Sequence, residues 1–291
     1  VGIASIINVG LDIILVGPLG MGTKGAAYAT ITAQGISFVI SIFYLKRRHV
    51  FFDTTLCKKF TIQRDKIVAI LKIGLPTAIQ MVVVNTAYLL VTGMLNQFGT
   101  SVSAASGVGL QINTFAGMPC WAVGQAVTAM VGQCMGAEQI KRARKVVKIG
   151  LLVNIAMTLV VVLCVQVFAE QLILLFGSNS REVVTDGVYY LRVCCGVNSL
   201  IYAAMYTLDS FAIGVGAANV AMLNALLDAV VVRLPVSWIL AFTLGMGFPG
   251  IYFGQALSPI LPAFVGFIYF KSGIWERKSL IQKNRKEGNP E

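Results

Sequence analysis

Histidine is nearly absent from this 291-residue chain, and charge of either sign is scarce. The single His49 stands among basic residues, which excludes the paired-histidine chemistry of zinc and haem sites. Charged residues make up 12% of the sequence, against roughly 25% in ordinary soluble domains, so a conventional soluble fold is excluded. Only 12 residues are Asp or Glu, scattered too widely to supply a nucleophile–base pair. The six cysteines fall at 57, 120, 134, 164, 194 and 195 without a C-x-x-C spacing. Five lie in apolar runs and read as small packing residues. No enzyme and no cofactor is expected from this inventory.

What the chain has in abundance is apolar length. Hydrophobic residues reach 57% and the mean hydropathy is +0.79. Eight segments are long enough to cross a hydrocarbon core of about 30 Å as helices. They run approximately over 1–18, 25–46, 68–97, 103–135, 146–169, 184–213, 217–243 and 248–270. The expected fold is an all-α integral membrane protein with eight transmembrane helices. Several segments exceed the ~20 residues that a crossing needs, which predicts tilt, breaks or ends projecting into water. The front carries neither a signal-peptide pattern nor an initiating Met, and Val1 already sits in a helical stretch. The sequence therefore reads as a truncated chain.

The net charge of +11 follows the loops. Nineteen of the 23 basic residues lie in three regions: 46–72, 141–148 and 271–286. If the eight helices alternate, all three fall on one side of the membrane, which the positive-inside bias makes cytoplasmic together with the C-terminus. The opposite loops hold only Lys24 and Arg181. A multi-pass protein of the plasma membrane is expected, with the bilayer as a partner. Nucleic acid is not expected, since the basic residues track loops and form no aromatic-interleaved face.

A long-period echo organises the chain. Leu19-Gly20-Met21-Gly22-Thr23-Lys24-Gly25 returns as Leu244-Gly245-Met246-Gly247-Phe248-Pro249-Gly250. Each copy follows a helix with an Asn/Asp pair four apart, Asn8/Asp12 and Asn224/Asp228, read as equivalent; a Gln follows each, Gln34 and Gln255. Such an echo points to two membrane lobes related by a parallel repeat. Both copies satisfy G-x-G-x-x-G, but no strand precedes them, so the glycines read as turn and packing residues and carry no dinucleotide. Residues 60–73 form an amphipathic stretch expected to lie in the headgroup region, turning into the bilayer at Gly74-Leu75-Pro76.

At this point the residues carry a family resemblance. Ile73-Gly74-Leu75-Pro76 opens the third helix. The fourth contains Ala104-Ala105-Ser106-Gly107-Val108, then Pro119, and ends in Val131-Gly132-Gln133-Cys134-Met135-Gly136-Ala137. Tyr190-Leu191-Arg192-Val193 and Arg233-Leu234-Pro235 follow in order. Together with Leu19 to Thr30, this pattern closely resembles the multidrug and toxic compound extrusion (MATE) family. The resemblance implies one complete six-helix lobe, 68–271, preceded by the last two helices of the other lobe, 1–46. A basic linker, 47–67, would join them and a basic tail, 272–291, would follow. The first four helices of the family's twelve would be absent, leaving that segment as a required partner. The implied function is export of organic, often cationic, compounds in exchange for H⁺ or Na⁺ by alternating access. A lipid-linked oligosaccharide flippase of the same superfamily, or an inactive fragment, remains the alternative. The sodium-coupled branch carries a Glu at the position aligned with Val84 and an Asp near Tyr202; neither is present, and the coupling ion stays open between H⁺ and Na⁺.

Three polar stripes with helical spacing supply a candidate lining. They comprise Asn198, Tyr202, Met205 and Asp209; Met81, Asn85, Tyr88 and Thr92; and Gln111, Thr114, Met118 and Gln125. Unpaired polar groups are costly in lipid, so these stripes should face protein or a water-filled cleft. The substrate-binding candidates are Asn85, Tyr88, Gln111, Met118, Asn198 and Tyr202. Met adapts to flat apolar compounds and Tyr faces hold cations. Of the intramembrane acids, Asp209 is the ion-coupling candidate, expected about one turn before the Gly214 turn and partly hydrated. Arg192 and Arg233 are expected near helix ends, snorkelling or paired.

Overall fold

The computed structural model describes residues 2–48, 64–176, 180–196 and 198–276. The chain divides into two compact units, Val1–Arg64 and Asp65–Glu291.

In the first unit, α1 (Gly2–Val16) and α2 (Gly22–Arg48) pack together around a glycine turn. Gly20 and Gly22 adopt φ of 58° and 54°, which side chains resist. The turn is closed by Leu19 N–H to Ile14 O at 3.3 Å and Met21 N–H to Leu15 O at 3.0 Å. Small residues on α2 allow the close approach: Ala29 and Ala33 are fully buried, and a Cβ on Gly25 would stand 3.0 Å from the Leu15 carbonyl oxygen. The Asn8 amide donates to Thr30 Oγ1 at 3.4 Å.

The second unit begins with α3 (Arg64–Leu95), a 3₁₀ turn at Asn96–Phe98, and α4 (Thr100–Gly136). The expected turn at Gly74-Leu75-Pro76 does not form. Helix α3 runs unbroken through Pro76, which removes one backbone donor, a loss that membrane helices tolerate. Of the amphipathic stretch, residues 60–63 lie outside the described residues.

Helices α5 (Ile140–Val167), α6 (Ala169–Leu175), α7 (Arg181–Cys194) and α8 (Asn198–Gly214) follow. The apolar run 184–213 is therefore two helices, bent by 50°. The carbonyls exposed at the bend find a donor on α5, where Gln166 Nε2 reaches Leu191 O at 3.1 Å and Cys195 O at 3.0 Å. Asn154, fully buried on α5, donates to Thr207 Oγ1 at 2.8 Å and Ala203 O at 3.2 Å, tying α5 to α8.

The next span is wound two ways. α9 (Ala218–Leu226) passes into a π-helix at Leu227–Arg233, then α10 (Leu234–Trp238), then a second π-helix at Ile239–Thr243. α11 (Phe248–Leu257) and α12 (Ile260–Ser272) complete the unit. α11 lies backbone to backbone on the π-wound span: a Cβ at Gly250 would meet Leu240 C and Ala241 N at 2.7 Å, and one at Gly254 would overlap Ser237. Gly250 and Gly254 are four apart, the small-x-x-x-small spacing of tightly packed membrane helices.

Among the described residues, five helices or helix groups are long and apolar enough to cross a membrane, and α7–α8 counted as one bent span would add another. Large apolar side chains point outward, with Leu89, Leu152 and Phe264 more than half exposed. That surface is costly in water and natural against lipid. Inside, Tyr190, Ile173, Ile251 and Tyr252 anchor one apolar cluster. Trp275 with Phe211, Val131 and Val147 anchors the other. The Trp275 indole donates to Phe270 O, and the adjoining Glu276 pairs with Arg144 at the start of α5.

Candidate functional site

The polar stripes of α3 and α8 meet a third element at a buried ionic cluster. Asp228 and Arg233 sit five residues apart in the π-helix, a spacing that α-winding places on different faces and that π-winding, with its i→i+5 bonds, brings onto one face. Arg233 Nη2 donates to Asp228 Oδ2 at 2.7 Å, and both residues are at most 4% exposed. The guanidinium lies over the ring of Tyr88, 4.5 Å from its centroid. On α8, Tyr202 stacks on Tyr206 at 6.2 Å. The Asn224 amide donates to Asp209 Oδ1 at 2.6 Å.

The cluster is under-satisfied. Nε and Nη1 of Arg233, Oδ1 of Asp228 and Oδ1 of Asn224 are buried without a hydrogen-bond partner. Each such group costs about 1–3 kcal/mol if nothing fills the gap. Asp228 takes the guanidinium, while Asp209 has the Asn224 amide as its partner and no ion pair among the described residues.

Two sequence expectations are corrected here. Arg233 is paired, as one of the two expectations had it, but it is not at a helix end; winding continues through Leu234–Thr243, and the side chain is buried instead of snorkelling. Asp209 is not partly hydrated: it is 3% exposed because α9 lays Asn224 across it. Arg192, in the last turn of α7, is exposed.

The remaining candidates are less gathered. Asn85 is exposed and donates to Met81 O of its own helix at 2.8 Å. Gln111 and Met118 on α4 are exposed, and among the described residues no hydrogen bond or ring contact joins them to Tyr88 or Tyr202. Asn198 holds a buried, unpartnered Oδ1 at the start of α8. The structure thus brings Tyr88 together with Arg233, a residue absent from the expected lining. The sequence signal was present in Asp228 and Arg233, two opposite charges inside one apolar run. A separate open cavity of about 800 Å³ lies at the α3–α4 turn and the start of α7, lined by Phe98, Thr100, Arg181, Glu182 and Asp186 among others. No group of three His, Cys, Asp or Glu suited to a metal occurs among the described residues.

The repeat also changes its reading. Leu244 N–H bonds Ile239 O at 2.9 Å and Met246 N–H bonds Leu240 O at 3.1 Å, the same two bonds as in the first turn, 225 residues on. Gly245 and Gly247 again have positive φ, 66° and 68°. The Asn/Asp pairs, however, lie 216 residues apart, so they are not equivalent in the register of the turns. In that register Arg233 and Ser237 stand where Asn8 and Asp12 stand.

Comparison with known proteins places this architecture. The family model MatE matches residues 76–239, more than half of the chain, and the chain belongs to that family. It is 28% identical over 282 residues to the probable multidrug resistance protein YpnP of Bacillus subtilis (strain 168), covering 97% of this chain and 62% of that protein. It is 24% identical over 290 residues to the probable multidrug resistance protein NorM of Thermotoga maritima, covering 98% and 61%. Among solved structures, an outward-facing multidrug resistance MATE family transporter of the MOP superfamily matches with a TM-score of 0.86 at 22% identity, over 97% of this chain and 62% of that one. The bent form of the Vibrio cholerae MATE transporter VcmN matches with a TM-score of 0.81 at 22% identity, over 96% and 62%. The fold is that of a MATE transporter, and the chain spans about three fifths of these relatives' length.

Proposed function

We propose that this chain is the greater part of a secondary active exporter of organic compounds, driven by counterflow of H⁺ or Na⁺ through alternating access. The observation that carries this reading is the MatE match over 76–239, together with relatives named as multidrug resistance proteins. In this reading residues 68–271 form a complete six-helix lobe and 1–46 the last two helices of another. Residues 47–67 and the tail 272–291 are basic cytoplasmic segments, and the chain crosses the plasma membrane eight times. The exporter also contains the segment that accounts for the relatives' greater length.

Asn85, Tyr88, Gln111, Met118, Asn198 and Tyr202 contact the substrate, and Asp209 carries the coupling ion. The support for Asp209 is charge balance: Arg233 neutralises Asp228, and an isolated carboxylate at this depth is expensive unless a proton or cation joins it. A site that binds substrate and ion unequally in two states couples their flows.

The test is dye accumulation in a host stripped of its own exporters. The transporter containing this chain should lower accumulation of a lipophilic cationic dye, and collapse of the ion gradient should restore it. Asp209→Asn should cut that efflux about tenfold while the protein still reaches the membrane, as expected for loss of an intramembrane ion carrier. Efflux that persists after the gradient is collapsed would overturn ion coupling.

A further inference from the structure

We propose that the stripe of Lys141, Lys145 and Lys148 on α5 is a binding site for an anionic phospholipid. Its headgroup phosphate sits among the three ammonium groups, and an acyl chain runs down the apolar residues below them. The site is separate from the export reading and needs only that α5 spans the bilayer.

Helix α5 has 28 residues, about eight more than a crossing needs. All five of its charges lie within 141–148, so the surplus length stands at headgroup level. At about 100° per residue, Lys141, Lys145, Lys148, Leu152, Leu159 and Leu163 fall within about 60° of arc. All six are exposed. The lobe closes the opposite side, where Ala143, Val147, Gly150 and Asn154 are buried. One side of the helix thus reads cation first and hydrocarbon after it, the order of a phospholipid. From Leu152 to Leu163 the stripe runs about 16 Å, the depth of one leaflet of a ~30 Å core.

The lysines are both unpaired and held in place. Among the described residues none of the three has an ion-pair partner, and Glu276, the acid that reaches this end of α5, pairs with Arg144 instead. Trp275 is fully buried in one cluster with Val147 of α5 and Phe211 of α8, which fixes the base of α5 to the lobe. A site on a fixed base loses little freedom when it binds. Five basic residues just outside an apolar span are the composition that attracts anionic lipid. A protein partner would have to bring carboxylates above an apolar face, whereas a phospholipid supplies both in one molecule.

The test titrates phosphatidylglycerol, or phosphatidylcholine with the same chains, into the purified transporter in detergent and counts bound lipid by native mass spectrometry. The first phosphatidylglycerol should bind about tenfold tighter than phosphatidylcholine. K141Q/K145Q/K148Q, which leaves Arg144 and its partner intact, should shrink that preference to within about twofold. The charge-matched variant R47Q/R64Q/K72Q, changed at exposed positions on α2 and α3, should keep it. Equal loss in both variants would make the attraction diffuse and overturn the proposal, as would no preference in the unaltered protein. Glycerol phosphate at the same concentration should not displace the lipid; displacement would mean a free-phosphate site and sink the lipid assignment. A dimer that only the α5 variant dissolves would give the stripe to a second copy of the protein, again against the proposal.

Discussion

The two glycine turns share a backbone and differ in everything polar around it. Residues 14–25 and 239–250 make the same two hydrogen bonds, use positive φ at the same two glycines, and end at a glycine pressed on the preceding helix. Yet the helix entering the first turn carries Asp12 eight residues ahead of Gly20, with one buried oxygen unpartnered. The helix entering the second carries Asp228 seventeen residues ahead of Gly245, pinned by its own arginine. The turn is a steric solution that any sequence in this register must reuse. The charges are free to diverge: Asp228 has an arginine partner, and Asp12 keeps an unpartnered oxygen.

The largest expected break in the comparison comes from that arginine. Arg233→Met strands Asp228 in the interior and should cost about 3–5 kcal/mol, read as a fall in thermal unfolding temperature of the purified protein. The double change D228L/R233M should recover most of it, because an apolar pair replaces an ionic one. Asp12→Asn, by contrast, should cost about 1 kcal/mol or less, since no ion pair is lost there. Full stability of Arg233→Met would mean that the pair is not closed in the membrane.

A middle effect separates the glycines that end the turns. Gly250→Ala drives a methyl to 2.7 Å from two backbone atoms, whereas Gly25→Ala reaches 3.0 Å from its nearest neighbours. The first should therefore cost about 1–3 kcal/mol and the second visibly less. The smallest effect should be shared. Gly20→Ala and Gly245→Ala each force a side chain into the left-handed region and should each cost about 1 kcal/mol. A large difference between those two would show that the turns are not the same structure.

Much of the fold was legible in the sequence because apolar runs and loop charge are one-dimensional signals. The runs 25–46, 68–97 and 103–135 sit within a few residues of α2, α3 and α4. The bend near Gly196 was hidden, since Gln166, which satisfies its carbonyls, lies on another helix. Tyr88 and Tyr202 were legible as stripe residues. Arg233 was misplaced for a physical reason: π-winding leaves no 3.6-residue signature, and a nearby proline reads as a helix end even where the chain winds on. Asp209 was read without its partner, fifteen residues away on the next helix.

The two π-helices have a consequence best put in terms of phase. One residue of α-helix is worth about 100° of rotation, and each π turn takes in one residue more than an α turn. Before the π segments, Asn224 meets Asp209 on α8, and its amide nitrogen lies 3.5 Å from where a Cβ on Gly266 of α12 would stand. After the first of them, Ser237 and Ala241 meet the glycines of α11. The span thus works as an angular adapter, offering one face to two neighbours and then a re-aimed face to a third. Length here is converted into direction: removing a single residue such as Val231 would turn Ser237 and Ala241 about a quarter-circle away from Gly254 and Gly250, with hydrophobicity hardly altered.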